Sequence, residues 1–403
     1  MRIALVTREY PPETAWGGIG KFYGTFAQAL RLDGHDVEVF TQGISSEGVF
    51  LIDGITVHRV MPRKWVIGPK PGGDLAGMAS SGLGAFALSL SLEFGAAVMR
   101  RHSEVPFDVI EGHEHLGSNT FLAWFHPRAA LHVSRYHTAY HTLVSRGLAN
   151  WPRFKLIEWL ESMSIRRAHV RISASAFIES MTREDFPGAP PCDAVIPLFS
   201  PPPASAPPSP HVREKLMVFV GRMMPGHKNP EMAARCFAAL AAGFPDWRIE
   251  FAGLDIDLEP GVTGWSQCRD ILAPWPGRFH YHGVIDAASV AALYGRARIA
   301  ILPSKFESFG LAALEAMSAG CVPVVASRTA LEEVVESGGV IFDNGSMEDL
   351  IRKTRPLLAD DDLRAAISER AIERSRAGFS QAELLERNLE IFRQLREKHF
   401  PAS

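Results

Sequence analysis

The 403-residue chain has only four cysteines, Cys192, Cys236, Cys268 and Cys321, widely separated and without CxxC or Cys/His spacing. That pattern argues against a disulfide framework or a zinc site and fits reduced, mostly buried thiols in a cytoplasmic protein. No block of one charge sign is present, and 42 basic against 45 acidic residues leave a formal net charge of -3. Bulk electrostatics therefore give no argument for a nucleic-acid partner. The apolar start, Met1 to Thr7, runs at once into Arg8 and Glu9, which reads as a buried first strand and not as a secretory leader. The longest apolar stretch, Leu83 to Met99, contains Glu93 and several Ser and Gly residues. It is too short for a comfortable membrane span, so the expectation is a core helix. No short-period repeat occurs.

What is present is ordinary globular material, 46% hydrophobic and 22% charged, with length for two α/β domains of roughly 200 residues each. Ile3-Ala-Leu-Val-Thr7 is a continuous apolar run, as a strand covered on both faces requires. A Pro- and Gly-rich loop, Tyr10 to Gly20, follows. Next come Phe22, Phe26, Ala29 and Leu30 at helical spacing, Gly34 as a stop, and a second strand at Val37–Phe40. Further strands are expected at Asp108–Glu111, Leu131–Ser134, Val170–Ser173 and Ala194–Ile196. Six of the eleven residues from Ser200 to Pro210 are proline, which marks a connector. After it the pattern restarts with a strand at Leu216–Val220, a loop at Gly221–Pro230 and a helix at Glu231–Ala242. Strands are then expected at Trp247–Gly253, Arg278–Gly283, Ala297–Leu302 and Val322–Ala326. The domains read as 1–200, a linker 201–210, and 211–380. A last amphipathic helix, Gln381–Lys398, could close the second domain or pack back on the first. The fold class is α/β, with two Rossmann-like, doubly wound parallel-sheet domains.

The sharpest segment is Ile301-Leu-Pro-Ser-Lys-Phe-Glu-Ser-Phe-Gly-Leu-Ala-Ala-Leu-Glu-Ala-Met-Ser-Ala-Gly320. It reads as a strand end, a loop and a helix from about Phe309 to Ala319. Glu307 would sit at the carboxyl edge of the sheet, where open α/β sheets bind ligands. The amides of Phe309, Gly310 and Leu311 would face an anion at the helix start. Glu315 would lie one to two turns further on, so two carboxylates can grip different hydroxyl-bearing parts of one ligand.

Glu307 and Glu315, with seven residues between them, resemble the E-x7-E signature of retaining glycosyltransferases of family 4. Pro11-Pro12 with Gly17, Gly18 and Gly20 resembles that family's glycine loop, and Gly221-Arg222 followed by Lys228 resembles its diphosphate clamp. Arg167-Ala168-His169 through Ser175 resembles the stretch closing its first domain, and Cys321–Ala326 the strand after its E-x7-E helix. The resemblance covers nearly the whole chain and implies a GT-B architecture, two domains facing across a cleft. It further implies a nucleotide-diphosphate sugar donor on the second domain, an acceptor on the first, transfer with retention, and no metal or other cofactor. Implied roles are Arg222 and Lys228 on the diphosphate, Glu315 on the ribose, and Glu307 with His113 around the transferred sugar. Gly17 and Gly18 would let backbone approach the donor. His115 is the fallback for His113. Arg135 and His137, in a stretch resembling R-x-H-T, would line the acceptor side.

Two cations at the diphosphate suit the chemistry, because the leaving group gains negative charge as the glycosidic bond breaks. The chain departs from the family at Thr329 and Ala330, which replace two glycines and would narrow part of the donor pocket. Alternative readings are a nucleotide-sugar epimerase of the same fold and a degenerate sugar-nucleotide-binding scaffold. A zinc reading of the histidine clusters lacks the i, i+4 spacing such a site needs. Met61–Pro71 mixes cations with Trp65 and could rest on lipid headgroups or a lipid-linked acceptor; the acceptor itself is a glycan, a lipid-linked or a small molecule.

Overall fold

The computed structural model describes residues 1–14, 17–62, 80–147, 153–201 and 206–401. The Trp65 segment from residue 63 onward and linker residues 202–205 lie outside these. The chain divides into two compact units, Met1–Phe199 with Gln381–Ser403, and Ser200–Ser380.

The apolar runs of the first unit become β1 (Arg2–Thr7), β2 (Asp36–Gln42), β5 (Val109–His113), β6 (Leu131–Tyr136), β7 (Val170–Ser173) and β8 (Ala194–Val195). They join β3 (Gly48–Ile52) and β4 (Ile55–Val60) in one sheet of order β3-β4-β2-β1-β5-β6-β7-β8, in which only the β3–β4 pair is antiparallel. This hairpin was not expected from the sequence. It turns on Asp53 and Gly54, both at positive φ (49° and 78°), the geometry a two-residue Asp-Gly turn favours. The helix Gly18–Leu32 buries Phe22, Tyr23, Phe26, Ala27 and Leu30. It ends as expected at Gly34, whose amide donates to Arg31 while His35 donates to Leu30, both at 3.1 Å, in a Schellman arrangement.

The segment Gly82–Glu104 of the helix Ser80–Glu104 is long and apolar enough to cross a membrane by length and composition, yet more than half of its most apolar part is buried. Leu83, Phe86, Leu90, Phe94 and Val98 pack into the core with Phe40, Phe107 and Ile110. It is a core helix.

In the second unit, β9 (Leu216–Val220), β10 (Arg248–Ala252), β13 (Phe279–Tyr281), β14 (Ile299–Leu302), β15 (Val322–Ala326) and β16 (Val340–Phe342) form a parallel sheet of order β13-β10-β9-β14-β15-β16. A small hairpin, β11 (Asp257–Glu259) and β12 (Val262–Thr263), stands apart. One sheet face buries Phe219, Phe251, Ile301 and Val324 beneath Phe237 and Trp247. The other buries Leu216, Val218 and Ala300 beneath Leu293 and Tyr294.

The last helix, Gln381–His399, belongs to the first unit. Its buried Leu384, Leu385, Leu389 and Phe392 supply the apolar face. Arg387 donates to the Val195 carbonyl at 3.1 Å, and Arg396 pairs with Asp108 at 2.7 Å.

Candidate active site

Each sheet reverses its strand order once, in the first unit between β1 and β5 and in the second between β9 and β14. Loops leaving the carboxyl ends of such a strand pair diverge to opposite faces and leave a crevice, where α/β sheets bind ligands. Gly17, Gly18, His113 and His115 of the first unit, and Arg222, Lys228 and Glu307 of the second, fall at or just after these strand ends.

In the second unit the loop after β9 is tied to the loop after β14. Lys305 donates its amide to the His227 carbonyl at 2.8 Å, and Asn229 donates its side-chain amide to the Pro303 carbonyl at 3.0 Å. Lys228 forms a short ion pair with Glu307, whose same oxygen accepts from Ser304 at 3.0 Å. Both partners keep some exposure, 22% for the Lys228 side chain and 16% for that of Glu307. Burial alone would raise the Glu307 carboxyl, but Lys228, His227 and Ser304 together hold it below the usual range. His227 is pushed down to about 4, by burial first and then by Lys228 and Arg222. The site therefore brings Arg222 and Lys228 to one edge with a neutral imidazole between them in sequence. Arg222 is half-buried and makes no ion pair among the described residues.

Gly310 stands at φ 104° as the cap of the helix Leu311–Ser318, so that helix begins two residues later than the sequence suggests. The Phe309 side chain is buried against Phe379, ring centroids 5.7 Å apart. What Phe309, Gly310 and Leu311 offer a ligand is backbone: none of their amides donates to a partner among the described residues. Glu315 is half-buried on the same helix. Its charge helps to hold the wholly buried Tyr294 phenol well above its usual range, a shift that burial dominates. Thr329 does not project into open space. Its hydroxyl donates to Ala326 at 3.1 Å and accepts from Leu331 at 3.2 Å, starting the short helix Leu331–Val335. Ala330 is fully buried, and its amide donates to the Glu307 carbonyl at 3.1 Å.

In the first unit, Gly17 caps the helix Gly18–Leu32 beside the end of β1. A Cβ at Gly18 would meet nothing within 4 Å, whereas one at Gly17 would stand 3.2 Å from a Glu9 carboxylate oxygen. His113 ends β5 and is buried, its Nε2 3.4 Å from the Thr7 hydroxyl and 3.5 Å from the Arg8 amide. Its Nδ1 is buried without a partner among the described residues. His115 is half-buried, with Nδ1 2.8 Å from the Thr138 carbonyl. His137 is buried among Phe22, Tyr23 and His113, with ring centroids 5.6 to 6.1 Å away.

Arg135 is a correction. It is wholly buried, forks onto Glu111 at 2.7 and 3.1 Å and donates to Asn388 at 2.5 Å. Its guanidinium also lies over Phe22 and Phe26, at 5.2 and 5.4 Å. It fastens the last helix to the sheet and is not available to an acceptor. The motif spacing marked it as polar and close to the strand end, but Glu111 on the neighbouring strand and Asn388 on the last helix take up its guanidinium.

Burial sets the charge states here. It pushes His113 and His132 well below the usual imidazole range and His137 to about 3, with neighbouring histidines, and Arg8 and Arg135 at His113 and His137, adding to the effect. Burial raises Glu114 and Glu161 to about 8, although both accept backbone amides. The signs oppose one another. The two acids take up protons in the folded state as pH falls from about 8 toward 4.5, which stabilises it. Below about 6.5 the unfolded chain protonates histidines that the fold keeps neutral, which destabilises it by about 1.4 kcal/mol per group per pH unit. Three histidines outweigh two acids, and His126 and His169 are lowered as well. The thermal midpoint is expected to peak near pH 6.5 and to fall on both sides. A midpoint that rises steadily from pH 8 to pH 5 would contradict these assignments.

Among the described residues no group of three or more His, Cys, Asp or Glu is arranged to hold a metal ion.

The comparisons agree with this geometry. A family described as glycosyl transferase 4-like domain matches residues 17–198, and one described as glycosyl transferases group 1 matches residues 205–374. The D-inositol 3-phosphate glycosyltransferase of Kineococcus radiotolerans is 27% identical over 94% of this chain and 90% of its own. Among solved structures, the sucrose-phosphate synthase of Thermosynechococcus elongatus matches with TM-score 0.77 and 19% identity over 98% of both chains. An Anabaena protein solved with UDP and glucose matches with TM-score 0.69 and 15% identity over 96% of this chain and 98% of that one. At such identities the structures speak for the fold alone. Matched in both halves, the chain belongs to retaining glycosyltransferase family 4: it is a glycosyltransferase of GT-B fold.

Proposed function

We propose that the chain moves a sugar, with retention, from a nucleoside diphosphate sugar to a glycan or lipid acceptor in the cytoplasm. The observation that carries the donor reading is the Lys228–Glu307 pair at the strand reversal of the second sheet, beside the free amides of residues 309–311. Lys228 has three N–H donors, so it can keep Glu307 and still meet a phosphate oxygen. Arg222 and the helix start add further positive potential at the diphosphate. With that charge supplied by the protein, the reaction needs no divalent metal. Glu315 takes the ribose hydroxyls, and Glu307 and His113 contact the transferred sugar. The bond from the anomeric carbon to the leaving phosphate breaks as the acceptor oxygen attacks from the same face. The acceptor proton passes to the leaving phosphate oxygen. His113, kept neutral by burial, is a hydrogen-bonding partner in this scheme and not an acid. Four unpaired cysteines support the cytoplasmic assignment.

Glu307→Gln tests the reading, because it keeps the shape and removes the charge. Sugar release from a panel of nucleoside diphosphate sugars, followed by mass spectrometry, should fall at least about tenfold, while nucleoside diphosphate affinity changes far less. Undiminished release would remove Glu307 from the reacting end of the site.

A further inference from the structure

The helices Ser80–Glu104, Thr120–Phe125 and Lys155–Arg167 of the first unit lie side by side. Phe121 covers Gly95, where a Cβ would come within 1.9 Å of its ring, and Leu156 lies 3.4 Å from the Cβ position of Gly84. The rings of Trp124 and Trp159 meet at 5.8 Å. This close packing ends in an outer face that stays apolar and wet. Trp124 is 41% exposed, Phe125 58%, Leu156 38% and Trp159 45%. On the long helix Ala85, Leu88, Leu92, Ala96 and Met99, spaced by three and four, continue the stripe, and none is fully buried. A core helix needs one apolar face; this one has two.

The rim is cationic. Arg128, Arg153, Lys155 and Arg167 are exposed, and none pairs with a carboxylate among the described residues. The Arg167 guanidinium sits 4.4 Å from the Trp124 ring centroid. The exposed acid of the third helix, Glu158, turns aside to His141 at 3.6 Å, and Glu93 on the long helix is half-buried.

We propose that this face docks the enzyme on an anionic lipid bilayer. Exposed tryptophans and phenylalanine suit the boundary between acyl chains and headgroups, and unpaired Arg and Lys at their edge suit phosphate-bearing lipids. A contiguous apolar patch rimmed by one charge sign marks a surface with an occupant, and the charge here selects an acidic one. The proposal rests on the first unit alone and stands apart from the donor-site reading.

The test is flotation of the full chain with vesicles of phosphatidylcholine alone or mixed with phosphatidylglycerol. Binding is expected on the mixed vesicles, several-fold weaker on neutral ones and weaker again at high salt. The triple variant Trp124→Ser, Phe125→Ser, Trp159→Ser should lose about tenfold or more in vesicle affinity. Arg167→Glu with Lys155→Glu should abolish the preference for anionic lipid. A cooperative thermal transition and wild-type-like circular dichroism, read on each variant, report that it is folded. Three results would overturn the proposal: no binding to mixed vesicles, full binding by the triple variant, or self-association of the wild type that the triple variant abolishes. The last would assign the face to a second copy of the chain.

Discussion

Lys228→Ala is expected to lower kcat/KM by roughly 10²–10³-fold, the usual scale for removing one charge-stabilising donor from a reacting centre. Two losses combine. The diphosphate loses a cation whose value grows as the sugar bond breaks. Glu307 loses the partner that offsets its burial, so it drifts toward the neutral acid and toward a different set of hydrogen bonds. The loops after β9 and β14 remain joined through Lys305 and Asn229, so the fold should survive and the loss should be one of function. Steady-state kinetics with the preferred donor, measured well below a thermal transition that is lowered but still cooperative, reports it. A kcat/KM within about threefold of wild type would mean that Lys228 only anchors a loop.

Gly310→Ala should be the more damaging change for stability. A side chain there would occupy φ 104°, a region that only glycine enters readily, and its Cβ would stand 2.3 Å from the Leu331 Cδ2. Leu331 is buried, so it cannot swing into solvent. Overpacking of this kind costs about 1–3 kcal/mol and the backbone strain adds about 1–2 kcal/mol. The thermal midpoint should drop by several degrees, and the amides of residues 309–311 should lose their alignment, with donor turnover falling in step. An unchanged midpoint would show that the 327–331 turn yields easily and that the tight approach is incidental.

Much of this was legible beforehand, for definite reasons. The strands buried on both faces, β1, β9, β14 and β15, are continuous apolar runs and announce themselves. The Glu307 loop was readable because polar residues between an apolar strand and an apolar helix have few structural uses. The β3–β4 hairpin was missed although Asp53-Gly54 is a strong turn signal. Its strand residues alternate weakly, and at the sheet edge one face of β3 leaves Val49 and Leu51 exposed. Arg135 was misread because a charged residue beside His137 suggests a surface, and nothing nearby in sequence hints at Asn388, 253 positions away. The buried acceptors Glu114 and Glu161 carry no local motif either. Glu161 accepts amides from Leu116, Tyr140 and His141, which only the folded chain brings together. Thr329 and Ala330 looked like obstructions from the side-chain list alone, but the Thr329 hydroxyl turns back on its own backbone.

Calorimetric titration of the chain with UDP, GDP and ADP, without added divalent metal, probes the proposed berth most directly. At least one nucleoside diphosphate should bind the wild type, and both Lys228→Ala and Glu315→Ala should weaken it by about tenfold or more. Equal heats and equal affinity across wild type and both variants would show that the diphosphate and ribose rest elsewhere.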